Sequence, residues 1–287
     1  MVFFLGKDLL KDGLKTYFAK YKFKNTELKD FIAELAAAAK RAGMTIDFTA
    51  WSDSWLTKAG CASIKIDYDR DAASGEISNL KLVQTLYNVE NTPENRLRRQ
   101  AINIASLDEN MQVIDVHRVE TSDSVNEVPI TDKFVGPQAK PIHAFLINYG
   151  CHGYGKFEID PMTLTALESG MHKITSSLER KNLCNVMYDL IKSGSLPASR
   201  VLRIITNNLE HEPAVDILQD SFRFIIPCIL SKFLHEEVNE TRSSEMFNLT
   251  LKIMKSGRFN QFPAAMEMLL SSAIGFATTK DEIALIA

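Results

Sequence analysis

The chain has 287 residues, of which 45% are hydrophobic and 24% charged, with a net charge of −3 and an isoelectric point near 6.1. That composition predicts folded globular material in about one to three domains. It argues against nucleic-acid binding, in which lysines and arginines outnumber acids and gather into a stripe.

The opening residues, Met1 to Asp8, carry a short apolar run with no basic region before it and no small-residue cleavage region, which speaks against a secretory signal. Leu10, Leu14, Tyr17, Phe18 and Tyr21 then fall at helical spacing, with Gly13 lowering propensity but permitting close packing. Leu28, Phe31, Ile32, Leu35 and Ala39 form the face of a second helix, capped by Asn25 or Thr26 and ended by Gly43. Trp51 and Trp55 follow, four residues apart. Such a pair can line a ligand site, but the plainer reading is a packing seam between helices and sheet. A few helices of this kind cannot build a core alone, so their apolar faces need a partner, either the first β region or a segment upstream.

From Cys61 to Asp160 the sequence reads as sheet. Ser63–Tyr68 alternates with period two, Asp69–Gly75 is a turn, and Ile77–Tyr87 resumes with a slip, and so a bulge, at Lys81–Val83. A break falls at Asn91-Thr92-Pro93. Leu97–Ile104 and Met111–Val119, joined at the Asp108-Glu109-Asn110 corner, form the clearest hairpin. Shorter runs at Val128–Ile130, Ala144–Ile147 and Lys156–Ile159 complete the series. Many short strands without helices between them predict an antiparallel sandwich.

After Asp160-Pro161 the period becomes helical. Leu164, Leu167, Met171, Ile174 and Leu178 form one face, and Leu183, Val186, Met187, Leu190 and Ile191 the next. Ser193-Gly194 stops that pair and Pro197 starts a helix through Val201, Ile204 and Ile205. Another runs from Pro213 to Phe233, bent at Pro227. Further helices cover Phe247–Met254 and Phe262–Ile274, in pairs of solenoid character. The apolar ending, Ile283 to Ala287, reads as an interrupted superhelix, because stacked repeats need an end cap.

Candidate chemistry is sparse. Cys61, Cys151, Cys184 and Cys228 contain no C-x-x-C pair and read as free thiols of a reducing, cytoplasmic compartment. No run approaches the roughly 18 apolar residues of a membrane span. Asn239-Glu240-Thr241 and Asn248-Leu249-Thr250 match the glycosylation pattern, which is coincidental without secretion. A zinc-peptidase helix needs two histidines four residues apart with a glutamate between. His211-Glu212 has Val215 at the second position, and His235-Glu236 has Asn239. Asp115 and His117 share a strand face near Glu120 but read as solvated surface. Cys151-His152, in the Gly150–Gly155 turn, lacks a third orienting group, and the glycines of that turn precede a strand instead of a helix N-terminus. Arg96-Leu97-Arg98-Arg99 reads as decoration of a strand edge, and Glu76, Glu90 and Glu94 show no acid/base arrangement.

The order of several segments resembles one family. Gly13-Leu14-Lys15-Thr16-Tyr17-Phe18 and Tyr21-Lys22-Phe23-Lys24-Asn25, followed by Trp51, Trp55 and Lys58-Ala59-Gly60, resemble the close of the catalytic domain in M1-family zinc aminopeptidases of the aminopeptidase N and puromycin-sensitive type. Phe145-Leu146-Ile147-Asn148-Tyr149-Gly150 and Tyr154-Gly155-Lys156-Phe157-Glu158-Ile159-Asp160 resemble strands of its β-sandwich. Leu190 to Ser199, with Gly194 and Leu196, resembles the D-G-x-L segment that opens its C-terminal superhelix. The resemblance covers about residues 6 to 230.

What it implies is an α+β multidomain fold: residues 1–59 a helical remnant of a peptidase catalytic domain, 60–160 an antiparallel β-sandwich, and 161–287 an α-helical superhelical domain, incomplete relative to the family. Family enzymes remove N-terminal residues from peptides with one zinc held by H-E-x-x-H and a downstream glutamate. A G-x-M-E-N loop grips the substrate amine and a tyrosine stabilises the oxyanion. None of these motifs occurs here, so no catalytic, cofactor-binding or metal-binding residue carries over to any position. The expectation is a C-terminal fragment, inactive alone, whose sandwich and superhelix wall the peptide cavity of an intact enzyme. Zinc, peptide substrate and the missing N-terminal catalytic portion belong to that enzyme, and neither nucleic acid nor a membrane span is expected. The alternative is a non-catalytic structural or protein-interaction module.

Overall fold

The structure, a computed structural model, describes residues 1–87, 97–121, 125–128 and 141–286, with 125–127 as backbone. Glu90, Asn91 to Pro93, Glu94, Arg96 and Ile130 lie outside the described residues. The chain is mixed α and β with small sheets and a helical C-terminal region. It divides into two compact units. One comprises Met1–Ser106, Ile114–Ile142 and Leu146–Glu158, and the other Leu107–Val113, His143–Phe145 and Ile159–Ala287.

In the first unit, helices α1 (Val2–Leu5), α2 (Lys7–Tyr21), α3 (Leu28–Arg41) and α4 (Phe48–Leu56) surround a core that includes Leu9, Ile32, Leu35, Phe48 and Trp51. Ala101, from the sheet region, belongs to the same core, so the helices find at least part of their apolar partner there. Gly13 lets α2 lie close against α3: a Cβ at that position would meet Leu35 Cδ2 at 2.7 Å. That contact turns the Leu9 and Gly13 side of α2 inward, and Phe18, expected on the buried face, is 63% exposed instead. The cap of α3 is neither Asn25 nor Thr26. Glu27 takes the position and its N–H donates to Asp30 Oδ2 at 2.9 Å, while Thr26 Oγ1 bonds Tyr17 Oη at 2.6 Å. Gly43, at φ 72°, ends the helix as its spacing predicts.

The strands are β1 (Cys61–Arg70), β2 (Ile77–Tyr87), β3 (Gln100–Leu107), β4 (Val113–Thr121), β5 (Val125–Glu127), β6 (Ala144–Ile147) and β7 (Lys156–Phe157). One sheet has the order β5-β2-β1-β7 and the other β4-β3-β6. The irregularity in β2 lies earlier than its sequence suggests. Asp67 pairs with Lys81 and Asp69 with Ser78, so Asn79 and Leu80 together face Tyr68, and Asn79 adopts φ 50°. Asparagine tolerates that left-handed backbone better than the branched Val83 would. The β3–β4 hairpin shows in its cross-strand bonds, Gln100 N–H to Thr121 Oγ1 at 3.3 Å and Ser106 Oγ to the Asp115 carbonyl at 3.5 Å.

An all-antiparallel arrangement does not hold, because β7 runs parallel to β1, pairing Ser63 with Lys156 and Ile64 with Phe157. Gly155 lets the incoming chain lie against β1, since a Cβ there would sit 2.9 Å from the Ala62 carbonyl.

The second unit is built mainly from α5 (Pro161–Gly170), α6 (Ser177–Lys192), α7 (Ala198–Leu209), α8 (Val215–Asp220), α9 (Ile226–Lys232), α10 (Glu236–Lys255), α11 (Pro263–Phe276) and α12 (Lys280–Ile286). Asp160 caps α5 through Thr163 N–H at 3.0 Å, with Pro161 in the first turn. The single face expected from Leu164 to Leu178 is broken. A 3₁₀ turn, Met171–Lys173, follows Gly170, Ser176 caps α6, and Leu178 is exposed. The break has a physical source in the His172 N–H, which donates to Asn208 Oδ1 at 3.0 Å.

Ser193-Gly194 and Pro197 act as expected, Gly194 at φ 71° closing α6 and Pro197 capping α7. Between α8 and α9 the backbone widens into one π-helical turn, Ser221–Ile225, ending two residues before Pro227, which has no N–H to donate. The helix α10 starts well ahead of Phe247, and α12 was not anticipated. Its first turn is held by Glu282, whose carboxylate accepts from Thr278 N–H at 2.8 Å and Thr279 N–H at 3.0 Å. Hydrogen bonding from Ser244 and then from these donors pulls the Glu282 carboxyl down to about 2. No helix among the described residues is long and apolar enough to cross a membrane.

Candidate functional site

In the first unit Trp51 and Trp55 both pack and line a cavity. Their rings sit 6.1 Å apart, and each indole N–H donates to the Arg99 carbonyl at 3.2 Å, which anchors α4 to the start of β3. Arg98, expected on a strand edge, is buried instead. Its guanidinium donates to the carbonyls of Ser54, Lys58 and Gly60, satisfying acceptors around the α4 C-terminus and the turn into β1. A cavity of about 250 Å³ opens beside the pair, lined by Phe4, Trp51, Trp55, Arg99, His152 and Tyr154 among others. Arg99 stands 5.6 Å from the Phe4 ring and its NH2 group lies 3.3 Å from Glu120. This arrangement can hold a flat apolar group, but its lining places no nucleophile beside a base.

The Gly150–Gly155 turn sits next to that cavity, and its glycines serve close approach. Asn148 Oδ1 accepts from Gly153 N–H at 2.6 Å and Gln100 Oε1 from Tyr154 N–H at 2.8 Å. A Cβ at Gly153 would meet Ile102 at 2.9 Å. These two N–H groups are therefore already engaged and do not cradle an anion. Cys151 is exposed at φ 55°, and His152 stacks on Phe3 with ring centroids 3.9 Å apart.

The second unit holds a polar groove of about 560 Å³ lined by Glu168, His172, Glu210, His211, Glu245 and Lys252 among others. The His172 and His211 rings lie 4.7 Å apart and His172 Nδ1 is 2.8 Å from Asn208 Oδ1. The carboxylates are tied to cations: Glu168 to Arg200 and Arg203, Glu210 to Lys252, and Glu245 to Arg242. Hydrogen bonds from Arg200 and Arg203 lower the Glu168 carboxyl, and one from Lys252 lowers Glu210, so both are poor proton donors.

Glu212, weighed in the sequence as part of a failed zinc motif, has a structural task. It forms a two-pronged ion pair with Arg180, at 2.8 and 2.7 Å, in which the side chains are 2% and 4% exposed. Arg180 also donates to the Ile174 carbonyl at 2.6 Å, and Glu212 Oε1 accepts from Ala214 N–H at 2.9 Å. No local pattern marks this pair, and sequence reasoning missed it.

Asp115 and His117, expected as solvated surface, instead approach to 3.7 Å with side chains 16% and 10% exposed, while Glu120 pairs with Arg99 and Arg118. His235 is exposed beside Glu237. Cys184 is fully buried, which pushes its thiol up to about 12 and leaves it inert. Among the described residues no three His, Cys, Asp or Glu side chains converge as a metal site.

Over 227 residues the chain is 25% identical to aminopeptidase N of Streptomyces lividans. The match covers 78% of this chain and 25% of that protein, so the chain spans about a quarter of the length of the curated relative it matches. No family model matches the chain. The similarity is to a peptidase.

Proposed function

We propose that the chain is the non-catalytic C-terminal portion, or a truncated relative, of an M1-type zinc aminopeptidase. In this reading residues 1–59 complete a peptidase domain, 60–160 form a β-sandwich, and 161–287 form an α-helical superhelix. Sandwich and superhelix wall a peptide cavity and govern access and the length of peptide admitted. The chain alone does not hydrolyse peptides. Its partner is a catalytic portion that carries H-E-x-x-H and the zinc, the substrate of the whole is a peptide, and the location is cytoplasmic.

The observation that carries the reading is the similarity to an aminopeptidase over 227 residues in a sequence without H-E-x-x-H. The free thiols are in keeping with a reducing compartment. A second reading, a protein-interaction module, draws on the exposed Ile274, Ile283 and Leu285. An in-frame upstream segment encoding H-E-x-x-H favours the first reading over the second.

The test is a chimera in which this chain replaces the matching segment of the Streptomyces lividans enzyme. The chimera is expected to cleave an alanyl amide within about tenfold of the parent rate, about 1.4 kcal/mol in barrier, and the deletion to be inactive. A folded chimera as inactive as the deletion would overturn the proposal.

A further inference from the structure

The surface of α2 turned away from α3 carries a cationic stripe. Lys7, Lys11, Lys15 and Phe18 succeed one another at intervals of four, four and three residues, which places them along one side of α2, and Lys22 follows at its C-terminal cap. The opposite side holds the buried Leu9 and Gly13. All five stripe residues are exposed, and none of the four lysines has an ion pair among the described residues. Of the nearby acids Asp12 is held by Arg41 at 2.6 Å, and Asp8, at the edge of the stripe, offsets one of its charges and leaves an excess of lysines.

Just past the helix, Phe23 sits at φ 59° with its ring fully in solvent, next to Lys24. Two exposed phenylalanines among five lysines without an ion pair among the described residues, on a chain whose overall charge is −3, form a local feature that composition hides.

We propose that this stripe docks the protein reversibly on an anionic phospholipid surface. An exposed helix side suits a planar partner, lysines meet headgroup phosphates as point charges, and Phe18 and Phe23 enter the interface. The stacked aromatic platforms and groove of a single-strand nucleic-acid site are absent from this helix side among the described residues.

The test is co-sedimentation of the purified chain with vesicles of phosphatidylcholine alone or mixed with phosphatidylserine, and with a DNA duplex as competitor. Binding is expected to the phosphatidylserine vesicles only, to weaken with salt, and to fall about fivefold for each lysine removed. The triple variant Lys7→Gln, Lys11→Gln, Lys15→Gln is expected to lose binding, and Phe18→Ala with Phe23→Ala to weaken it, with unchanged thermal melting in both. No binding to anionic vesicles, equal binding to neutral ones, full binding by the folded triple variant, or displacement by DNA at lower concentration than lipid would each overturn the proposal.

Discussion

Replacing Glu212 by alanine is expected to destabilise the helical unit by about 3–5 kcal/mol, because it strands the Arg180 guanidinium in a site where water does not reach. Two effects compete in the pair. Removing both ions from water is costly, and their mutual attraction with two parallel hydrogen bonds offsets that cost only while both are present. The double variant Arg180→Met, Glu212→Leu removes the charges together and is expected to fall within about 1–2 kcal/mol of the parent, on either side. Urea denaturation followed by circular dichroism distinguishes the cases. A single variant as stable as the parent would mean that the pair is wet, contrary to its position between the α6 face and the turn leading to α8.

Trp51→Ala carries the second large effect, about 3–5 kcal/mol on the first unit. The indole is buried among Phe4, Phe48 and Trp55, and its N–H holds the Arg99 carbonyl. Truncation therefore opens a cavity and removes one of the two donors on that carbonyl. Trp55→Ala is expected to cost less, since Trp55 is only partly buried. The same urea titration reads both, and equal losses for the two tryptophans would contradict the packing described.

Local physics made much of the architecture legible. Gly43 and Gly194 take the positive φ that a helix stop requires, Pro161 opens a helix, and Gly13 sits where a side chain would strike Leu35. Alternation in Ile64, Ile66 and Tyr68 marked β1 because one face of that strand is buried.

What escaped was decided across long separations. Arg98 reaches back to Ser54 and Gly60, Arg180 across to Glu212, and Asn208 to His172 and Leu167. A polar side chain reads as surface until the chain brings it a buried partner, and no helical or strand period encodes that partner. The parallel placement of β7 escaped for a similar reason, since a two-residue pairing leaves almost no pattern.

For the candidate site, the sequence excluded an H-E-x-x-H centre, whereas the cavity beside Trp55 and the stripe on α2 emerge only once backbone faces are assigned.

The central claim, that catalysis lies outside this chain, is tested most directly by measuring bound zinc and hydrolysis of alanyl and leucyl amides on the same purified sample, with and without chelator. Substoichiometric zinc and no chelator-sensitive turnover are the predicted result. One zinc per chain with hydrolysis that a chelator abolishes would contradict the account.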